Sequence, residues 1–212
     1  LVTTRGRWEP VEPAEIAEEQ WAFLRPKEPG TPLRDGTEEQ RQFVRIAAAT
    51  PDYAVLEGPP GSGKTTAICE LLVQLLREGK RALLVASTHV AVDNVLERLL
   101  AWQDDEGNTE TLVMPVRIGD EDRVTSDEIV PFTLRRLERT WRAELLDFLD
   151  SPRGVAPAGD AARETLRTAL KGGGQDSALL RLLLESANLV CGTTIGILQH
   201  PAIKAHKRGA GS

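Results

Sequence analysis

Tyr53-Ala54-Val55-Leu56-Glu57-Gly58-Pro59-Pro60-Gly61-Ser62-Gly63-Lys64-Thr65-Thr66-Ala67-Ile68 is the stretch that decides the fold of this 212-residue chain. Its apolar opening, Tyr53 to Leu56, suits a buried parallel strand. A tight loop, Gly58 to Gly63, comes next. Ile68, Leu71, Leu72, Leu75 and Leu76 then recur at helical spacing until Gly79 closes the helix. Upstream, Thr37 is placed to cap a helix carrying Phe43, Val44, Ile46 and Ala47, which Pro51-Asp52 ends. Downstream, Ala82 to Ala86 reads as a second buried strand. Ala91, Val92, Val95, Leu96, Leu99 and Leu100 mark another helix, and Val113 to Ile118 a third strand, broken by Pro115. This βαβαβ alternation predicts an α/β fold, a parallel sheet with helices packed on it.

Between Gly119 and Ala187 the pattern turns helical. Leu134, Leu137, Trp141, Leu145 and Phe148 form one apolar stripe, on which Trp141 reads as core rather than as a base-stacking platform. Ser151 to Gly159 is a loop. Helical sequence resumes from Ala161, breaks at Gly172-Gly173-Gly174 and continues from Ser177 to Glu185. An inserted helical hairpin is expected here, before Asn188 to Gly192 returns as a strand. The expected organisation is a linker or edge segment over 1–32, the first part of the α/β domain over 33–119, the helical insertion over 120–187, and a return strand with a basic tail over 188–212. Within the first segment a helical patch, Ala14 to Leu24, carries Ile16, Trp21 and Leu24, which suit docking on a neighbouring surface.

Gly58-Pro59-Pro60-Gly61-Ser62-Gly63-Lys64-Thr65 matches G-x-x-x-x-G-K-[ST] between a strand and a helix, the context a phosphate-binding P-loop needs. Gly61 and Gly63 let the backbone turn its N–H groups towards an anion. The following helix points the positive end of its dipole at the same place. Lys64 supplies a charge for the β- and γ-phosphates, and the Thr65 hydroxyl suits Mg²⁺. ATP or GTP with Mg²⁺ is the ligand class this implies, with Gly58 to Thr66 as binding residues. The job is not fixed by the loop, since small-molecule kinases, GTPases, AAA-type machines and helicases share it.

Composition sets further bounds. The 41% apolar and 27% charged residues describe a globular chain, and no apolar run approaches the length that spans a bilayer. Cys69 and Cys191 both lie in apolar runs and read as buried thiols of a reducing, cytoplasmic compartment. A net charge of −6 argues against a surface basic throughout. All acids precede residue 188, whereas the C-terminal stretch holds Lys204, Lys207 and Arg208. A nucleic-acid partner would meet a local strip; a solvated tail is the other reading of those cations. His89, His200 and His206 are too scattered for a metal site. The chain begins with Leu1, and an excerpt of a longer protein is the expectation.

Ala82-Leu83-Leu84-Val85-Ala86-Ser87-Thr88-His89-Val90-Ala91-Val92-Asp93-Asn94-Val95 resembles motif Ia of the superfamily 1 helicases, most closely the Upf1-like branch. Gln40 sits where that family places the glutamine that reads the adenine edge. Val116-Arg117-Ile118-Gly119 is similar to motif Ib, and Val190-Cys191-Gly192-Thr193-Thr194 to motif Ic. The resemblance covers roughly residues 33–200. It implies a RecA-like domain, ATP as nucleotide, and single-stranded DNA or RNA as partner. The strand-end residues Ser87, Thr88, His89, Arg117, Thr193 and Thr194 are expected to hold nucleic-acid backbone. Ser87 and Thr88 read also as helix caps, Thr193 and Thr194 as strand-end hydrogen bonders, and Arg117 and Gln40 as surface residues.

A working ATPase of this family also needs an apolar strand ending in Asp-Glu. The acidic candidates here, Asp104-Asp105-Glu106, Asp120-Glu121-Asp122 and Asp127-Glu128, follow no such strand. A second RecA-like domain is expected elsewhere in the full protein, and this chain alone is expected not to turn over ATP. The chain is also expected to leave one sheet edge open. A nucleotide-binding scaffold and a P-loop kinase stay open as other classes.

Overall fold

The computed structural model describes residues 12–26, 31–105, 112–151, 157–171, 178–201 and 203. The glycine break at 172–174, Glu106, His206 and the tail cations Lys204, Lys207 and Arg208 lie outside the described residues. The chain divides into two compact units, Leu1–Lys80 and Arg81–Ser212.

In the first unit, α1 (Thr37–Ala49) packs on α2 (Lys64–Arg77). Both helices start at a left-handed glycine, Gly36 with φ 79° and Gly63 with φ 77°, a conformation that costs a side-chain-bearing residue about 1–2 kcal/mol. Trp21, Leu24 and Val44 form a small buried core, with Ile16, Phe43 and Leu71 packed against it. Residues 14–24 therefore lie on α1 and α2 of their own unit. Tyr53 to Leu56, expected as a buried strand, joins no ladder among the described residues, and Tyr53 and Val55 are 66% and 76% exposed. The apolar run had the right composition, but a strand exists only where a neighbour takes its N–H and C=O groups.

The second unit is built on three parallel strands, β1 (Ala82–Ala86), β2 (Pro115–Ile118) and β3 (Leu189–Thr193), in the order β1-β3-β2. The register sets Ala82 beside Leu189, Ala86 beside Thr193 and Ile118 beside Gly192. Helix α3 (His89–Gln103) links β1 to β2 and buries Val92, Val95, Leu96, Leu99 and Leu100. Between β2 and β3 stand α4 (Leu134–Asp150), α5 (Pro157–Lys171) and α6 (Ala178–Ser186), and α7 (Thr194–Gln199) follows β3. Central β3 is buried. Its Gly192 has no room for a side chain, since a Cβ there would meet the Ile118 carbonyl at 2.9 Å. β1 is an edge, with Leu83 60% and Val85 39% exposed, so the expected fully buried strand is half solvated.

The main core joins Val116 and Ile118 of β2, Leu134 of α4, Leu179, Leu180 and Leu183 of α6, and Ile197 of α7. Burying each such side chain contributes about 1.5–3 kcal/mol. The α4 stripe is only partly absorbed: Leu134 is buried and Leu137 packs on the core, while Trp141, Leu145 and Phe148 stay exposed. Trp141 is thus not core. Arg81 donates to the carbonyls of Leu184 and Ala187, which closes the C-terminal end of α6.

Candidate nucleotide site and nucleic-acid edge

The P-loop runs from Gly58 into the first turn of α2. Gly61 has φ 81°, and nothing lies within 4 Å of where its Cβ would stand. Gly63 is the N-cap residue of α2 and offers no side chain to cap it. First-turn amides of a helix have no intrahelical acceptor, so this end presents N–H groups and a positive dipole end at an open glycine loop. The donor set and the space above Gly61 fit a phosphate group. Thr65 and Thr66 lie half-buried in the first turn. The Lys64 ammonium donates to the carbonyls of Gly58 (2.7 Å) and Pro59 (2.8 Å), within its own loop.

Gln40, on the preceding helix, reaches this loop directly. Its Nε2 donates to the Ser62 carbonyl at 2.7 Å, and a Cβ on Gly63 would meet that nitrogen at 2.5 Å. Gln40 is therefore no solvent-facing bystander on α1: it touches the loop that Pro59, Pro60, Gly61 and Ser62 form.

The second unit gathers the remaining candidates at the carboxyl ends of its strands. The β1–β3 register sets Ala86, which precedes Ser87-Thr88, beside Thr193, which precedes Thr194. Ser87 is exposed. Thr88 caps α3, accepting from the Ala91 N–H at 3.3 Å. Thr193 is 8% exposed and caps α7, accepting from Gly196 N–H at 3.1 Å. Thr194 is exposed, its hydroxyl donating to the Ala86 carbonyl at 3.3 Å.

Arg117 departs from expectation. It is fully buried, so its charge does not reach a strand lying on this edge. Nε donates to Asp93 at 3.0 Å, Nη1 to the Ile118 carbonyl at 2.9 Å, and Nη2 to His89 Nδ1 at 2.9 Å. Asp93 accepts also from the Thr125 N–H (3.0 Å) and hydroxyl (3.1 Å). A guanidinium only donates, so Nδ1 of His89 accepts and the ring proton sits on Nε2. Asp93, quoted in the sequence only as part of the motif Ia stretch, and Thr125, not singled out at all, complete this contact. Nearby in β3, burial pushes the Cys191 thiol up to about 12, against the lowering pull of the Arg117 charge. Cys69 is likewise a buried free thiol. Among the described residues no cluster of His, Cys, Asp or Glu is arranged to hold a metal, and no helix is long and apolar enough to cross a membrane.

Residues 36–146 match the AAA domain family, just over half of the chain. Over 60 residues the chain is 42% identical to the DNA-binding protein SMUBP-2 of Rattus norvegicus, covering 28% of this chain and 6% of that protein. It is 47% identical over 60 residues to the DNA replication ATP-dependent helicase/nuclease DNA2 of Saccharomyces cerevisiae, covering 28% of this chain and 4% of that protein. A longer match, 106 residues at 32% identity, is to the uncharacterized ATP-dependent helicase MJ0104 of Methanocaldococcus jannaschii, covering 48% of this chain and 15% of that protein. The matched stretch is thus a small part of each relative. With its P-loop, its three-stranded parallel sheet and its motif order, the chain belongs to the AAA domain family and to the Upf1-like branch of superfamily 1 helicases.

Proposed function

We propose that the chain is the nucleotide-binding part of an ATP-dependent helicase or translocase acting on single-stranded DNA or RNA. The observation that carries this is the bond between Gln40 and the P-loop at Ser62, beside an α2 N terminus without a side-chain cap. A base-reading amide and a phosphate cradle then stand in one place. Gly58 to Thr66 would hold the phosphates, Lys64 would offer them its charge, and Thr65 would hold Mg²⁺, which would neutralise phosphate charge. Gln40 faces the adenine edge.

Ser87, Thr88, His89 and Thr194 line the carboxyl edge of the sheet, where hydroxyls, an imidazole N–H and backbone amides suit phosphates and leave bases unread. Thr193 contributes by holding α7. Arg117 acts only through His89, whose tautomer it fixes. Among the described residues the three strands continue into Ser87, Gly119 and Thr194, not into Asp-Glu, and on this reading the chain alone binds ATP without turning it over. A second RecA-like domain elsewhere in the full protein completes the site, which acts in the cytoplasm or wherever its nucleic acid resides.

Steady-state hydrolysis by the full-length protein, with and without single-stranded oligonucleotide, tests this function. Stimulation by the strand, abolished by Lys64→Ala, is expected. Hydrolysis indifferent to nucleic acid would point to a scaffold or phosphotransferase instead.

A further inference from the structure

We infer that residues 12–26 form a clamp that sets the position of Gln40 against the P-loop, with Glu70 as its positioning residue. The inference rests on the reading of Gln40 as the adenine contact. Glu70 lies in α2, six residues after Lys64, and is fully buried. Its carboxylate accepts the backbone N–H groups of Ala22 (3.1 Å), Phe23 (2.6 Å) and Leu24 (2.9 Å), and the Gln74 amide at 2.7 Å. A charge stripped of water is tolerated only where donors replace that water, and a concave run of amides does so. The chain segment is therefore shaped around a side chain of the P-loop helix. Gln74 adds a second tie to it, donating to the Gln20 carbonyl at 2.8 Å.

The same segment grips α1. Arg41, 3% exposed, donates from Nε to the Leu24 carbonyl at 2.8 Å and pairs through both terminal nitrogens with Glu18 (2.9 and 2.7 Å). The Ala14 N–H donates to the Arg45 carbonyl at 2.9 Å. Arg41 and Arg45 also lie over the Trp21 ring, 4.8 and 5.3 Å from its centroid. Arg41 directly follows Gln40, and successive helical residues point about 100° apart. Arg41 thus faces the clamp while Gln40 faces the loop. Any slip of α1 along α2 carries Gln40 off the Ser62 carbonyl, so the clamp controls base recognition and leaves the phosphate cradle, which belongs to α2 and its own loop, intact.

The experiment is calorimetric titration of the full chain with ATP and, separately, with inorganic triphosphate, both with Mg²⁺. Wild type, Gln40→Ala, Glu70→Gln and Gln74→Leu are compared. Glu70→Gln turns an amide NH₂ towards N–H donors and opens the clamp. Gln74→Leu cuts only the second tie, and carries the test if Glu70→Gln does not fold. Expected is an ATP affinity reduced about two- to tenfold in all three variants, the worth of one hydrogen bond, with triphosphate affinity unchanged. If Gln40→Ala shows that pattern but the clamp variants bind both ligands as wild type does, or lose both equally, the inference is overturned. If Gln40→Ala leaves ATP binding untouched, the adenine reading itself falls, and the inference with it.

Discussion

Arg117 and Asp93 form an ion pair in which neither side chain is exposed, with Nε and Oδ1 3.0 Å apart. It joins β2 to α3, so the two segments resembling motifs Ib and Ia are held by one dry contact. The remaining atoms are satisfied as well, by the Ile118 carbonyl, His89 and Thr125.

Removing one partner of such a pair leaves an uncompensated buried charge. Arg117→Met should therefore lower stability by about 3–5 kcal/mol in urea unfolding, while the double variant Asp93→Leu/Arg117→Met recovers most of that loss. A single-variant cost below about 1 kcal/mol would mean that water reaches the pair.

Thr193 and Thr194 are adjacent but differ in task. Thr193→Ala removes the α7 cap and should cost about 0.5–2 kcal/mol. Thr194→Ala touches an exposed hydroxyl and should stay within about 0.5 kcal/mol, while weakening single-stranded oligonucleotide binding in an anisotropy titration. Full affinity in Thr194→Ala would remove this hydroxyl from the strand path.

Gly61 and Gly63 both hold left-handed backbone, so alanine strains either. Only at Gly63 does the added Cβ also meet Gln40, at 2.5 Å. Gly63→Ala should lower the melting temperature more than Gly61→Ala, and adding Gln40→Ala should bring the two level. Equal melting of the single variants would show that the Gln40 contact carries no load.

Cys191 gives a pH signature. Its thiol is held at about 12 by burial, above its ordinary value of 9.0. A raised folded value means that stability is fully present below the ordinary value and is lost as pH climbs from there towards the folded one. Thermal unfolding followed from neutral pH to strongly alkaline pH should show that decline, and Cys191→Val should flatten it. An unchanged slope in Cys191→Val would assign the decline to other groups.

The P-loop was legible because its spacing carries its own mechanism, and the α2 and α3 helices because their apolar periodicity is long. Tyr53 to Leu56 misled because composition reports burial, whereas a ladder needs a neighbour that composition does not name. Arg117 misled for a related reason: an arginine at a strand end looks solvent-facing until its partner is known, and Asp93 stands 24 residues away on another element. Glu70 did leave a signal, a lone acid between Cys69 and Leu71 on an apolar helix, but what receives it lies 46 to 48 residues upstream. Trp141, Leu145 and Phe148 show the converse, a periodic stripe that the described core does not fill.

Phosphate binding by the Gly58–Thr65 loop is tested most directly by an equilibrium titration of the chain with ATP–Mg²⁺, wild type against Lys64→Ala. Saturable one-to-one binding that Lys64→Ala abolishes is the predicted result. Binding of equal strength in both proteins would contradict it.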